Sequence, residues 1–169
     1  QNTFTVIVPH LPGTGRSELQ EDMRMESLAE SVKSVLDAEG ITQCVMIGHS
    51  MGGYATLAFA ERYPEYVMGF GLFHSTAFAD SDEKKATRQK GIEFIRQHGA
   101  YAFLKTSVPN LYGPATKEAA PALIEQHLQS VQSATDAALI KYYEAMMARP
   151  DRTHVLQQAT VPVLFVLGR

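Results

Sequence analysis

A serine held between two glycines, Gly48-His49-Ser50-Met51-Gly52, follows an apolar run and precedes a helix-forming stretch. Strand, Gly-x-Ser-x-Gly, helix is the order in which this pentapeptide makes a nucleophile elbow. Such a turn is too tight for side chains at its flanks, which accounts for Gly48 and Gly52. Ser50 is then expected in a strained conformation with its hydroxyl exposed at the top of a sheet. The backbone N–H of Met51 points at the place where an oxyanion would form, and the helix N-terminus adds a dipole of the right sign. The chemistry this permits is attack of the serine oxygen on a carbonyl, once a base has taken its proton.

The histidines are the natural candidates for that base. His49 is fixed beside the serine and points the wrong way, so packing is its expected role. His74 ends an apolar run, at the carboxyl edge of a sheet where ligands bind. His49 and His74 are therefore candidate pocket-lining residues. His98, His127 and His154 fall on helical stretches and read as surface or core residues. Asp80 and Asp82 read as N-terminal charges of a helix, and Lys84-Lys85 as an exposed helical face. Met146 and Met147, with Tyr142 and Tyr143, fit a substrate tunnel and core packing equally well.

These groups need a frame, and the hydrophobic pattern supplies one. Residues 4–8 read as a short buried strand, followed by a Pro/Gly loop from Pro9 to Ser17. Ser27 with Glu30 resembles a capping box opening a helix that Gly40 closes. Strand 43–48, the elbow, a helix over about 51–63 and a strand from Tyr66 to Phe73 follow. Such alternation of buried-looking runs argues for a parallel α/β sheet. After His74 the rhythm becomes helical: 81–98 with Ser81 as N-cap and Gly99 as stop, then about 100–107, 116–130 with Pro121 kinking or restarting it, 134–148 and 151–158. A strand returns at Val161 to Leu167. The expected organisation is an α/β core over 1–75, a helical segment over 76–158 and a return to the core over 159–169.

Three motifs in this order resemble the α/β-hydrolase superfamily. Pro9-His10-Leu11-Pro12-Gly13-Thr14-Gly15-Arg16-Ser17 is similar to the family's Asp-x-Pro-Gly-x-Gly-x-Ser loop after its fourth strand, with His10 in place of Asp. His10 reads as structural, with Arg16 and Ser17 fixing the loop by hydrogen bonds. Gly48 to Gly53 matches the elbow after the fifth strand, and Val161 to Arg169 resembles the seventh strand. The resemblance implies an α/β-hydrolase fold, a mostly parallel sheet with a helical cap inserted after strand six. It implies a Ser50 serine hydrolase of esterase type, working through an acyl-enzyme on an ester or related acyl bond. It also implies that strands one to three and eight, the catalytic acid and base and the second oxyanion donor lie outside residues 1–169. A sheet ordered 1-2-4-3-5-6-7-8 would lack strand three at its centre. The expectation is a piece of a longer protein, nearly inactive alone, or a second chain supplying that strand, acid and base.

Composition narrows the alternatives. The 169 residues are 45% apolar and 20% charged, with net charge −3. That excludes the basic excess expected of a nucleic-acid or anionic-membrane binder. No apolar run approaches the about 20 residues of a membrane span. One cysteine, Cys44, fits a cytoplasmic location and reads as a small buried hydrophobe. A small-molecule substrate is the expected partner, with no metal or cofactor. Two rivals stand beside the hydrolase reading. One is a non-catalytic ligand-binding protein on the same fold. The other is a P-loop nucleotide binder, for which His10 and Arg16 occupy the positions of the first Gly and the Lys.

Overall fold

The computed structural model describes residues 4–168. Three parallel strands, β1 (Cys44–His49), β2 (Val67–Phe73) and β3 (Val163–Val166), form one sheet in the order β1-β2-β3. Helix α2 (Met51–Arg62) links β1 to β2 and is buried from Gly53 to Phe59. It fills the space between the sheet and α1 (Met25–Ala38), which turns Met25, Leu28, Ala29 and Leu36 inward. The core gathers on the sheet face that carries Met46, Phe70, Leu72 and Val163. Cys44 packs at its margin, where burial pushes its thiol pKa up.

Local chemistry sets the ends of α1. Its last turn closes in a Schellman motif: Gly40 has φ +66°, Ile41 N–H donates to the Leu36 carbonyl (2.8 Å) and Gly40 N–H to that of Asp37 (3.1 Å). Its start departs from expectation. The N-cap is Arg24, so Ser27 lies inside the first turn and the capping box does not form. Asp22 turns the chain into the helix earlier. Its carboxylate accepts from the Arg24 N–H (3.0 Å) and guanidinium (2.7 Å), which hold its pKa well below the usual range.

Residues 4–8 are not a strand. Phe4, Val6 and Val8 are 84%, 80% and 82% exposed. A strand needs a neighbour for its backbone groups, and none is available to this segment among the described residues. The second face of the sheet is also bare: Val45, Ile47 and Leu164 are 64%, 66% and 55% exposed.

Between β2 and β3 the chain is helical: α3 (Asp82–His98), α4 (Ala100–Ser107), α5 (Pro114–Ala119), α6 (Pro121–Ser130), α7 (Asp136–Ala148) and α8 (Thr153–Gln157). Ser81 caps α3 by accepting from the Lys84 N–H, and Gly99, at φ +85°, ends it. Pro121 does restart the chain, separating α5 from α6. Asp136 accepts from the Ala100 N–H at 2.6 Å and so joins the start of α7 to that of α4.

This segment is fastened to the core by polar side chains: Tyr142, which the sequence offered for tunnel or core, and Lys141 and Arg152, which it did not single out. Tyr142 donates to the Pro12 carbonyl (2.6 Å), and burial pushes its pKa up to about 12. Lys141 donates to the carbonyls of Gln20 and Glu21. Tyr142 and Met146 belong to the main core, which decides between core and tunnel for that pair. Arg152, almost wholly buried, joins Glu61 (2.9 Å) and Glu26, and its N–H donates to the Ala77 carbonyl.

Asp80 is not a helix-end charge. Its side chain is fully buried between Arg88 (2.6 Å) and Arg149 (2.9 Å). Arg149 also donates to the carbonyls of Met146 and Phe78 and lies 3.8 Å from the Tyr54 ring centroid. Burial pushes the Asp80 carboxyl up, but Arg88 and Arg149 outweigh it and hold the pKa below the ordinary value. Glu26 and Glu61 are lowered in the same manner, with Arg152 opposing their burial. Carboxyls depressed on folding stabilise the fold above their unfolded pKa of about 4 and lose that contribution as pH falls through the folded value. Asp80→Ala leaves Arg149 buried without its partner and is expected to cost about 3–5 kcal/mol near pH 7. In urea titrations the gap to wild type should narrow as pH falls below the ordinary carboxyl range of about 4. A constant gap would show that packing, not charge, sets the loss.

Candidate active site

All three strands run the same way, so their carboxyl ends meet at one edge. There β1 delivers His49 and Ser50, β2 delivers Phe73 and His74, and β3 ends at Val166. Two hydrogen bonds carry the ladder a step beyond the strands: Ser50 N–H to the Phe73 carbonyl (2.9 Å) and His74 N–H to the Val166 carbonyl (2.8 Å). Ser50 and His74 are also the two non-glycine residues with positive φ among the described residues, at +51° and +47°.

Ser50 has φ +51° and ψ −115°, outside the left-handed helical well and in a region that glycine enters readily and other residues do not. Such conformations cost of order 1–3 kcal/mol and persist where the surroundings over-determine them. The surroundings here are specific. The Ser50 carbonyl accepts from the Gly53 N–H (2.9 Å) and from the Ser75 hydroxyl (2.8 Å). The Ser50 side chain is exposed, and α2 begins at the next residue. The Met51 N–H thus occupies the first helical position, where no intrahelical acceptor exists.

The glycines divide the work differently from expectation. A Cβ on Gly48 would collide with the Gly52 carbonyl group and the Gly53 nitrogen, so Gly48 is obligatory. Gly52 faces open space within the described residues. The second obligatory glycine is Gly53, whose Cβ would run into the Ser75 hydroxyl. Ser75 and Gly53 escaped the sequence reading because they meet across 22 residues. A small polar residue just after the second strand of the alternation was the available signal.

His49 and His74 do come together. Their rings lie 6.1 Å apart, edge to face, and both contact Phe73, at 5.6 Å and 4.8 Å. Both are exposed at the carboxyl edge. No hydrogen bond joins either ring to the Ser50 hydroxyl among the described residues. The remaining histidines are engaged elsewhere: His98 against Phe94 (4.5 Å), His127 with the Tyr112 hydroxyl (2.9 Å) and His154 with Glu61 (2.7 Å). His10 is part of the Pro/Gly loop. Its Nδ1 accepts from the Arg16 N–H (3.4 Å), its carbonyl from the Ser17 hydroxyl (2.8 Å), and its ring occupies the space a Gly15 side chain would need. No helix starts at Ser17, since α1 begins at Met25, so the loop has no helix N-terminus to hold a phosphate.

Comparisons with known proteins agree with this geometry. The model of the alpha/beta hydrolase fold family matches residues 1–94, and the chain belongs to that family. A 2-hydroxy-6-oxononadienedioate/2-hydroxy-6-oxononatrienedioate hydrolase of Paraburkholderia phymatum is 25% identical, covering 98% of this chain and 60% of its own length. A thermophilic esterase from Thermogutta terrifontis superposes with TM-score 0.84 at 30% identity, over 92% of this chain and 58% of the esterase. The enol-lactonase of Burkholderia xenovorans shares the fold, with TM-score 0.82 at 23% identity over 94% of this chain and 60% of that one. The chain therefore spans about three fifths of the length of these relatives.

The turn makes a stability ranking testable. Gly48→Ala and Gly53→Ala are each expected to cost about 1–3 kcal/mol by overpacking. Gly52→Ala should be neutral or stabilising by up to about 1 kcal/mol, because alanine suits a helix better than glycine. Chemical denaturation of the three variants checks the order. A Gly52→Ala loss as large as that of Gly48→Ala would mean that something outside these residues fills the space over Gly52.

Proposed function

We propose that this chain carries the nucleophile of a serine hydrolase that cleaves an ester or related acyl bond. The observation that carries the reading is the positive φ of Ser50 at a strand-to-helix turn. Ser50 is exposed there, and the next residue, Met51, opens α2 with a first-turn N–H that has no intrahelical acceptor. Strain at such a position argues from an observed outlier to function. The esterase and dienoate-hydrolase relatives support the class of reaction.

In the mechanism, Ser50 Oγ attacks the carbonyl carbon while a base takes its proton. The tetrahedral oxyanion is held by the Met51 N–H and a second donor, and collapses as the base returns the proton to the departing alcohol. The base then takes a proton from water, which attacks the acyl group, and gives it to Ser50 Oγ as the acid leaves. Ser75 holds the Ser50 carbonyl and so sets the direction of the Met51 peptide. His49, His74 and Phe73 line the floor beside the serine. Helices α3 to α8 act as the cap. The base, its acid partner and the second oxyanion donor come from polypeptide beyond residues 1–169, in the same chain or a partner. The bare sheet face and the free edge of β1 are where that polypeptide docks. The single cysteine, Cys44, supports a reducing compartment, the cytoplasm, as the place of the reaction.

The decisive experiment uses the full-length protein that contains this chain. A fluorophosphonate should add once, at Ser50, as read by intact mass and peptide mapping. Ser50→Ala should remove labelling and lower ester turnover by up to about 10⁶-fold while leaving the melting curve in place. Turnover that survives Ser50→Ala would overturn the assignment. A folded full-length protein that neither labels nor turns over esters would favour the non-catalytic ligand-binding reading.

A further inference from the structure

A cavity of about 410 Å³ lies away from the strand edge, among α3, α4 and α7. Its lining shares no residue with Ser50, Met51, His49 or His74. The volume is within the range of small-molecule sites, about 300–1,000 Å³. Its lining is divided by chemistry. Phe94, Phe103 and Tyr143 give it an aromatic wall, with Phe103 edge-on to Tyr143 at 5.6 Å and 6.1 Å from Phe94. Gly91 stands at this wall, where a Cβ would lie 3.0 Å from the Tyr143 ring, so the space over the aromatics stays open.

The rest of the lining is cationic. Lys84, Arg88 and Lys90 border the cavity, and no carboxylate does. Lys84 and Lys90 have no ion-pair partner among the described residues. Arg88 is anchored from behind, its Nε bonded to the buried Asp80 at 2.6 Å, which fixes the guanidinium 5.7 Å from the Tyr143 ring. Thr87 and Thr106 also line it, their hydroxyls donating to the Glu83 and Phe103 carbonyls of their own helices. On a chain of net charge −3 this is a local reversal of sign.

We propose that this cavity is a binding site for an amphipathic monoanion, a carboxylate on an aryl or alkyl body. The carboxylate sits between Lys84, Lys90 and the Arg88 guanidinium; the body lies against Phe103 and Tyr143. Charge-assisted hydrogen bonds hold the head group, and aromatic contact holds the tail. The site is separate from the serine, so binding does not depend on the hydrolase reading.

The test is calorimetric titration of the full-length Ser50→Ala protein with 4-phenylbutanoate, and with 4-phenylbutan-1-ol as its neutral analogue. Ser50→Ala removes turnover as a complication and leaves this cavity untouched. The acid should bind saturably and at least about tenfold more tightly than the alcohol, as expected for hydrogen bonds to charged groups. The double variant Lys84→Gln/Lys90→Gln, both exposed positions, should keep its melting temperature and lose about tenfold in affinity for the acid only. Equal affinity for acid and alcohol, absence of saturable binding, or an acid affinity unchanged in the double variant would each overturn the proposal. Ester turnover by Lys84→Gln/Lys90→Gln with Ser50 intact reports separately on the serine.

Discussion

The carboxyl edge of this protein is organised by one close approach: Gly48, at the end of β1, lies against the peptide joining Gly52 to Gly53 in the first turn of α2. That contact leaves too little room for the chain to reverse through ordinary backbone conformations, and Ser50 takes up the difference at φ +51°. The strain is held from three sides. The Phe73 carbonyl fixes the Ser50 nitrogen, Gly53 and Ser75 fix its carbonyl, and the buried body of α2 prevents the helix from drifting away. The strained backbone fixes the Met51 N–H relative to the Cα–Cβ bond that carries the Ser50 hydroxyl. Their fixed relation is what an acyl-transfer site requires, because preorganised donors act without reorganisation when charge develops.

The same helix is clamped a turn later. Tyr54 lies under the Arg149 guanidinium, which is paired with Asp80 and bonded to the carbonyls of Met146 and Phe78. One buried cation thus binds the elbow helix, the loop leaving β2 and the end of α7. Arg152 does the equivalent for α1, α2 and the entry to α8. Buried ion pairs give little net stability but are costly to break singly. Their contribution here is positional: the helical segment sits in one place relative to the serine because only one arrangement satisfies both arginines.

The sequence was most legible where a local signal and a burial pattern agreed. Gly-x-Ser-x-Gly after an apolar run located β1, the turn and α2; Gly40, Ser81, Gly99 and Pro121 marked helix ends that the structure has. What escaped depended on partners distant in sequence. Asp80 looks like a helix-end charge until Arg149, 69 residues later, is folded over it. Gly53 looks like an ordinary helical glycine until Ser75 is set against it. The capping box at Ser27 failed because Asp22 began the helix first, a competition between two adequate local signals that periodicity alone does not settle. Residues 4–8 have the composition of a strand, but a strand is a property of a pair, and the second member is not among the described residues.

On the proposed function, the open side of the sheet and the chemistry of the site bear on each other. A parallel sheet is ordinarily covered on both faces, whereas Val45, Ile47 and Leu164 stand exposed on one of them. The free edge of β1 is also the edge beside Ser50, since β1 pairs only with β2 among the described residues. A further parallel strand added there would bring its own carboxyl end level with the Met51 N–H, where a second oxyanion donor is needed. The apolar face and the β1 edge are separate surfaces, and on the proposed function it is the edge that bears on the oxyanion site. One strand added at this edge would then both pair the open side of β1 and supply the second donor, which would tie the proposed turnover to assembly of the sheet.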